Sequence, residues 1–148
     1  DDAGDGYFAD PDYGIRSPDN LDWADDGQIY INEDRSVGGF GLTSGEEASI
    51  WRLDPDFPIS NDIERVAQID RSATLPGGQT DPVPGDIGNW ESSGVLDVTS
   101  LFDFADAGDG ILLIADVQAH SVRDGSIGGS TGLVQGGQLF FLYVPSDD

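Results

Sequence analysis

The chain has 148 residues, of which 37% are hydrophobic, and its 29 acidic against 6 basic residues give a formal net charge of −23. This length fits one domain with a substantial core, and the negative charge disfavours nucleic acids and anionic lipid surfaces as partners. The absence of cysteine excludes disulfides, thiolate metal sites and cysteine nucleophiles.

Charge of this density destabilises a compact state through self-repulsion, and either bound divalent cations or a saline habitat would offset it. The longest apolar run, Ile111 to Ala115, has the length of a buried strand rather than of a membrane-spanning helix, so membrane insertion is not expected. The chain contains no methionine, which suggests that a signal peptide or further sequence precedes Asp1. We therefore expect an extracellular or cell-surface protein.

The first sixteen residues begin with an acidic, glycine-bearing stretch and then carry the aromatic residues Tyr7, Phe8 and Tyr13. Three aromatic side chains are too many for a disordered tail. We expect part of this segment to dock as a strand, either within the chain or on another copy of it.

Residues 17–34 predict the hairpin around which the chain is organised. Leu21 and Trp23 alternate with polar residues in a first strand, and Ile29 and Ile31 do so in a second strand. An Asp-Gly pair between them is typical of a tight hairpin turn, and we assign the acids of that turn no other role.

The far ends of this hairpin carry oxygen-bearing side chains. Antiparallel pairing brings the end of the first strand beside the end of the second, so these side chains share one edge of the sheet: Asp19, Asn20, Glu33 and Asp34. Clustered carboxylate and amide oxygens favour Ca²⁺. Ordinary turn chemistry at a strand end is an equally good explanation of the same residues.

Two more strands are predicted at residues 48–53 and 63–69, after a loop rich in glycine and serine at residues 36–45. Four strands in succession make one antiparallel meander. The connection at residues 73–89 is rich in proline and glycine and is long for a compact domain, so we predict a binding loop there.

The rest of the chain predicts three strands, at residues 95–98, 111–117 and 138–144. Residues 101–104 are ambiguous between a strand extension and a single helical turn. No window shows the 3.6-residue apolar period of a helix, so the predicted fold class is all-β, built from antiparallel meander units.

The two halves of the sequence resemble each other. Leu21-Asp22-Trp23 corresponds to Leu96-Asp97-Val98, each followed by an Asp-Gly turn, and residues 47–53 correspond to residues 137–143. The second unit has one strand fewer, which leaves an open sheet edge that natural proteins cover. We predict a single all-β domain whose parts are an amino-terminal segment (1–16), a first four-strand unit (17–72), a loop (73–89) and a second unit (90–148).

Residues 17–34 resemble a blade of a calcium-dependent β-propeller, in particular the carboxy-terminal part of PhoX-type alkaline phosphatases, which share a Pro-Asp-Asn-Leu opening and a later Glu-Asp pair. Residues 92–120, ending in Gln-x-His, are similar to the next unit of that family. The resemblance covers about half the chain. It implies two propeller blades, or a sandwich-like pair of sheets, and a metal-binding edge: Asp19, Asn20, Glu33 and Asp34 in the first unit, with Asp116, Gln118 and His120 at the corresponding place in the second.

Two functions from different classes follow. The first is an extracellular, non-catalytic Ca²⁺-binding structural module that self-associates into a homo-oligomer or filament, with residues 1–16 donated as a strand to the open edge. The alternative is a calcium-dependent phosphoesterase of PhoX type, or a fragment of one, although two blades cannot close a ring around a catalytic channel. The predicted metal ligands are Asp19, Asn20, Glu33 and Asp34, completed by Glu91 or Asp116.

The sequence gives little support for other kinds of functional site. The single histidine, His120, and the lack of a Gly-x-Ser-x-Gly motif leave a hydrolase triad unsupported. A second acidic loop, with Asp103, Asp106 and Asp109, is better explained as a solvated turn than as a metal site. We expect Trp23 and Trp51 in the core and Trp90 exposed, where it could stack on a carbohydrate.

Overall fold

The structure, a computed structural model, describes residues 15–38, 45–55, 63–102, 110–124, 126–127, 130–131 and 135–146. The fold is all-β, as predicted, and its strand pairs are antiparallel. The strands are β1 (Pro18–Trp23), β2 (Ile29–Glu33), β3 (Ser49–Leu53), β4 (Ile63–Gln68), β5 (Gln79–Thr80), β6 (Trp90–Asp97), β7 (Ile111–Ala119), β8 (Arg123–Asp124), β9 (Ser126–Ile127), β10 (Ser130–Thr131) and β11 (Gly136–Val144).

The first sheet has the order β1-β2-β3-β4, a meander in which each strand pairs with the next along the chain. The predicted hairpin between β1 and β2 is confirmed, with Leu21 opposite Ile31 and Trp23 opposite Ile29. Gly27 takes a φ of +86° in the turn, a conformation that disfavours residues with a Cβ atom. The backbone N–H of Ala24 donates to the carbonyl of Gln28 at 2.9 Å and closes the turn.

The second sheet has the order β6-β7-β11, again a meander. Its first strand begins at Trp90, well before the predicted start at residue 95. Residues 99–101 form a single 3-10 turn rather than a strand extension. The hydroxyl of Thr99 accepts a hydrogen bond from the N–H of Leu112 at 2.8 Å and fastens that turn to β7. Two short ribbons, β5 with β8 and β9 with β10, complete the described strands.

The two sheets pack against each other around a shared apolar core. Tyr30 of β2 is fully buried against Ile111, Leu113 and Val144 of the second sheet. The Tyr30 hydroxyl donates to Asp26 at 2.9 Å, so burial of this ring leaves no unpaired phenol. A second cluster, of Trp90, Ala119 and Val122, lies at the other end of the second sheet.

The connection at residues 73–89 is tied down by Arg71. Its guanidinium forms ion pairs with Glu47, Asp81 and Asp86, and it also donates to the carbonyl of Val83 at 2.8 Å. The Arg71 side chain is only 8% exposed. These contacts give the connection an internal anchor that its proline and glycine content did not indicate.

The tryptophans correct two predictions. Trp51 is buried as expected, but Trp90 is 5% exposed and Trp23 is 64% exposed. Trp90 begins a strand instead of lying in a loop, and its indole N–H donates to Ser121 at 3.0 Å inside the core. Trp23 lies on β1, the edge strand of its sheet, and most of its side chain faces solvent. The prediction that an exposed Trp90 could stack on a carbohydrate is therefore wrong, because the ring is buried.

Some predictions concern residues outside those described: the docking of Tyr7, Phe8 and Tyr13, and the acidic loop of Asp103, Asp106 and Asp109. Within the described ranges, no helix is long and apolar enough to cross a bilayer.

Candidate functional site

Most of the acids predicted from the hairpin lie where the first sheet meets the second. Pro18 of β1 pairs with Glu33 of β2, so the ends of the two strands are adjacent. The chain then continues to Asp34, beside Glu91 of β6. The N–H of Arg35 donates to both side chains, at 2.6 Å to Oδ1 of Asp34 and 3.1 Å to Oε2 of Glu91. Two acids distant in sequence thus share one donor.

Asp34 and Glu91 also hydrogen-bond to each other, and two carboxyl groups can do so only when one of them carries a proton. This bond to Glu91 raises the pKa of Asp34. Burial opposes ionisation of Glu91, but hydrogen bonds from Asp34, His120 and Ser93 outweigh it and lower the pKa of Glu91 to about 2. In the folded chain Asp34 therefore keeps its proton to a higher pH than Glu91 does.

A chain of polar side chains orients Glu91 from the second sheet. The hydroxyl of Ser93 donates to Oε1 of Glu91 at 2.9 Å, and its oxygen lies 3.3 Å from Oε1 of Gln118. Gln118 in turn donates to Gln135 at 2.9 Å, and the amide nitrogen of Gln135 lies 2.9 Å from Nδ1 of His120. The other ring nitrogen of His120 lies 3.1 Å from Oε2 of Glu91. His120 thus lies directly beside Glu91, and Gln118 is connected to it through Ser93.

Asp116 joins the same group through an unusual backbone position. It lies opposite Gly94 in the β6–β7 register, next to a β-bulge in β6. A Cβ atom on Gly94 would come within 2.7 Å of Oδ1 of Asp116, so the absence of a side chain at Gly94 makes room for this carboxylate. Burial and the nearby charge of Glu91 both raise the pKa of Asp116.

Asp19 and Asn20 approach from β1. The amide of Asn20 donates to Asp19 at 2.7 Å and to the carbonyl of Ser93 at 2.6 Å, which links β1 to β6. The charge of Asp19 contributes to the raised pKa of Asp34. We call these four interacting acids the strand-end cluster: Asp19, Asp34, Glu91 and Asp116.

Glu33 is not part of the strand-end cluster. Its side chain is 1% exposed and forms an ion pair with Arg16, and it also accepts hydrogen bonds from the N–H groups of Arg16 and Ser49, both at 2.8 Å. Burial raises the pKa of Glu33 despite the Arg16 charge. Its oxygens are used inside the fold, which assigns Glu33 a structural role. Arg16, which the sequence analysis placed in the amino-terminal segment, was missed as its partner.

The donor set can be compared with what Ca²⁺ requires. Among the described residues, no three acidic or imidazole groups already stand in a metal-ligating arrangement. The strand-end cluster nevertheless offers hard oxygens from two sheets, and the carboxyl groups of Asp34 and Glu91 both accept from the N–H of Arg35. The absence of a side chain at Gly94 also leaves space for the Asp116 carboxylate. Carboxylate oxygens of this kind are the donor type that Ca²⁺ prefers.

The chain was compared with protein-family models, curated proteins and solved structures, and no match was found in any of the three comparisons. The functional interpretation therefore depends on the residues themselves.

Proposed function

We propose that this chain is an extracellular, non-catalytic structural module that binds Ca²⁺ at the strand-end cluster, where the ion holds its two sheets together. The observation that carries the proposal is the approach of Asp34 and Glu91 at the boundary between the sheets, where both carboxyl groups accept from the same N–H of Arg35. Two carboxylates so close repel each other when both are ionised, unless a cation lies between them.

The proposed ligands come from both sheets. Asp34 and Asp19 belong to the first sheet, and Glu91 and Asp116 belong to the second. Asn20 already bridges the two through its bond to the carbonyl of Ser93. Ca²⁺ accepts six to eight oxygens in flexible geometry, so carboxylates supplemented by amide and carbonyl oxygens are a suitable set. An ion bound by both sheets stabilises the folded chain by mass action.

The charge of the whole molecule gives the ion a second effect. At a formal net charge of −23, each bound Ca²⁺ removes two units of the excess that opposes compaction. The stabilisation therefore has a local part, from the strand-end cluster, and a general part that salt reproduces. A test must separate the two.

The test is isothermal titration of Ca²⁺ at moderate salt into the wild-type chain, Asp34→Asn and Asp25→Asn. Both variants exchange one carboxyl group for an amide, but in the described part of the chain Asp25 forms a hydrogen bond only through its backbone N–H, and it lies outside the strand-end cluster. We expect Asp34→Asn to weaken binding at least tenfold and Asp25→Asn to leave it unchanged. Equal loss in both variants would mean that Ca²⁺ responds only to total charge.

A second readout concerns the proton. Ca²⁺ that replaces the proton of the Asp34–Glu91 pair must release it, so the apparent binding enthalpy should change with the ionisation enthalpy of the buffer in the range where Asp34 is still protonated. An assay of the same preparation for phosphate-ester hydrolysis tests the proposal that the module is not a catalyst. Robust turnover of p-nitrophenyl phosphate with Ca²⁺ would favour a phosphoesterase of PhoX type instead.

The self-association that we propose for this module is supported by the outer strand of the second sheet. On its outer side, β11 pairs with no strand among those described, and its exposed face carries Leu139, Phe141 and Tyr143. Half-exposed side chains of this size each present on the order of 100 Å². With Leu96, Leu101 and Phe102 the exposed apolar side chains present on the order of 600 Å², which is less than the roughly 800 Å² per partner of a standard interface.

Strand donation by the amino-terminal segment would cover that edge in a second copy. The test is deletion of residues 1–14, which leaves Arg16 in place because it is buried against Glu33. We expect light scattering to show ordered oligomers for the full chain and monomers or irregular aggregates for the shortened one. Ordered assemblies that persist without residues 1–14 would exclude strand donation.

A further inference from the structure

A cleft of about 490 Å³ lies between the two sheets, at the end away from the Tyr30 core. One wall comes from the first sheet, with Ala48, Ile50 and Ala67. The opposite wall comes from the second sheet and from the buried cluster of Trp90, Ala119 and Val122. The volume falls within the range of protein pockets that take small organic molecules.

The lining of this cleft is almost free of charge, in a protein where acids are abundant. The one charged residue at the cleft is Asp70, and its carboxylate is turned to the 71–73 turn, where Oδ1 accepts from the N–H of Ser72 at 2.8 Å and from its hydroxyl at 2.6 Å. Asp70 is exposed, so it belongs to the rim of the cleft. The walls themselves offer apolar surface and an indole ring.

Neutral hydrogen-bonding groups also reach the cleft. Gln68, Gln79 and Gln138 line it, and none of their side chains makes a hydrogen bond to another described residue. A few polar groups placed on an apolar wall are what orient a small ligand in a pocket. The three amides can both donate and accept, but they carry no charge with which to bind an ion.

We propose that this cleft binds an uncharged, mainly apolar organic molecule, whose ring or branched hydrocarbon body packs on the apolar walls and whose polar end meets the glutamine amides. The net charge of −23 repels anions from the opening. A cation would find no carboxylate inside the walls. This site is separate from the strand-end cluster, so the proposal is independent of the proposed Ca²⁺ binding.

The test uses the neutral fluorophore N-phenyl-1-naphthylamine with the full chain at low ionic strength. Two variants fill the cleft: Ala67→Phe on its wall, and Gln138→Trp at an exposed position beside it. The control is Phe141→Ser, which removes an apolar side chain from the outer face of the same strand. Thermal unfolding and near-ultraviolet circular dichroism establish that each variant is folded.

We expect the dye to bind wild type saturably at one site, with at least tenfold weaker binding in both filling variants and no change in Phe141→Ser. If Ala67→Phe does not fold, Gln138→Trp carries the test, because its position is already solvent-exposed. No binding to wild type, or undiminished binding to a folded filling variant, would overturn the proposal. So would loss of binding in Phe141→Ser, because the dye would then be on the outer face.

The charge preference is tested with 8-anilinonaphthalene-1-sulfonate, which has a related ring system and a negative charge. We expect its binding to be at least tenfold weaker than that of the neutral dye at low salt. Equal affinity for both dyes would overturn the proposed selectivity for uncharged molecules.

Discussion

Asp22 and Asp97 tie the two sheets together through a reciprocal pair of hydrogen bonds. The carboxylate of Asp22 accepts from the backbone N–H of Asp97 at 2.6 Å, and the carboxylate of Asp97 accepts from the N–H of Asp25 at 2.9 Å. The two aspartates are the equivalent positions of the internal sequence repeat. The same residue in each unit thus reaches across to the other unit's backbone.

Asp97 has the larger role of the two, because its second oxygen also accepts from the N–H and the hydroxyl of Thr99, at 2.9 and 2.6 Å. Although burial opposes ionisation, these bonds lower the pKa of Asp97. We expect Asp97→Ala to reduce the free energy of unfolding by about 1 to 2 kcal/mol and Asp22→Ala by about 1 kcal/mol, as is usual for hydrogen bonds to charged groups that are partly exposed.

Urea unfolding of the two single variants and the double variant measures these effects. Asp25→Ala is the control, since only its backbone takes part in the pair. We expect the double variant to lose less than the sum of the two, because each bond spans the same boundary. Strict additivity would mean that the two aspartates act separately and that the reciprocal arrangement has no energetic role.

The fold was accessible from the sequence because the signals were local. Strict alternation of apolar residues and an Asp-Gly turn define the hairpin between β1 and β2, and both depend on residues a few positions apart. The errors concern the start of β6, which begins at Trp90 and not at residue 95, and the burial of two tryptophans. Trp90 and Trp23 both lie on strands, but whether a strand face is covered depends on which elements pack against it, and that information is not local.

A second prediction separates Glu33 from the strand-end cluster. Glu33→Gln leaves the guanidinium of Arg16 buried with a neutral partner, and breaking a buried ion pair by changing one member costs about 3 to 5 kcal/mol. We expect a correspondingly lower free energy of unfolding by chemical denaturation. Ca²⁺ affinity, measured by titration on the folded fraction, should change less than twofold.

Asp34→Asn should behave in the opposite way, with a large loss of Ca²⁺ affinity and a small loss of stability in the absence of the ion. The two substitutions at these adjacent residues are then a matched pair, because one lowers stability and the other lowers Ca²⁺ affinity. A large loss of Ca²⁺ affinity in Glu33→Gln, at unchanged stability, would contradict the structural role assigned to Glu33.

The sequence placed Glu33 and Asp34 together because both end the same strand. Successive side chains of an extended chain point to opposite sides, however, so adjacent residues rarely face one site. That rule could have separated the two acids. The partner, Arg16, could not have been assigned in this way, because the choice among the basic residues is made by packing in three dimensions.

A third prediction concerns pH. The pKa of Glu91 is lowered from its ordinary value of 4.5 to about 2 in the folded chain. A lowered pKa means that the folded state favours the carboxylate, so this stabilisation is complete above about pH 4.5 and is lost as the pH falls towards 2. We expect Glu91→Gln to flatten the fall in melting temperature over this range, measured without Ca²⁺.

The raised pKa of Asp34 acts with the opposite sign. Its stabilising contribution is present while it is protonated and is lost as the pH rises through its folded pKa. In EGTA, the wild type should therefore lose some stability as Asp34 ionises, and Asp34→Asn should not. Added Ca²⁺ should abolish this difference by replacing the proton. An identical pH profile for wild type and Asp34→Asn would contradict the raised pKa of Asp34.

The last prediction concerns the connection at residues 73–89, which its length and composition marked as a binding loop. Arg71 anchors it through Asp81, Asp86 and the carbonyl of Val83, and the guanidinium also stacks on Trp90 with its carbon 5.2 Å from the ring centre. Arg71→Met keeps the length of the side chain but removes every donor, so that several carboxylates lose their partner at once. We expect a loss of about 3 kcal/mol in the free energy of unfolding and faster amide hydrogen exchange through residues 79–89.

Arg123→Met, at an exposed position in β8, is the matched control and should change neither quantity. Unchanged exchange in a folded Arg71→Met variant would show that the turns of the connection order it without Arg71, which would contradict the anchoring role of this residue.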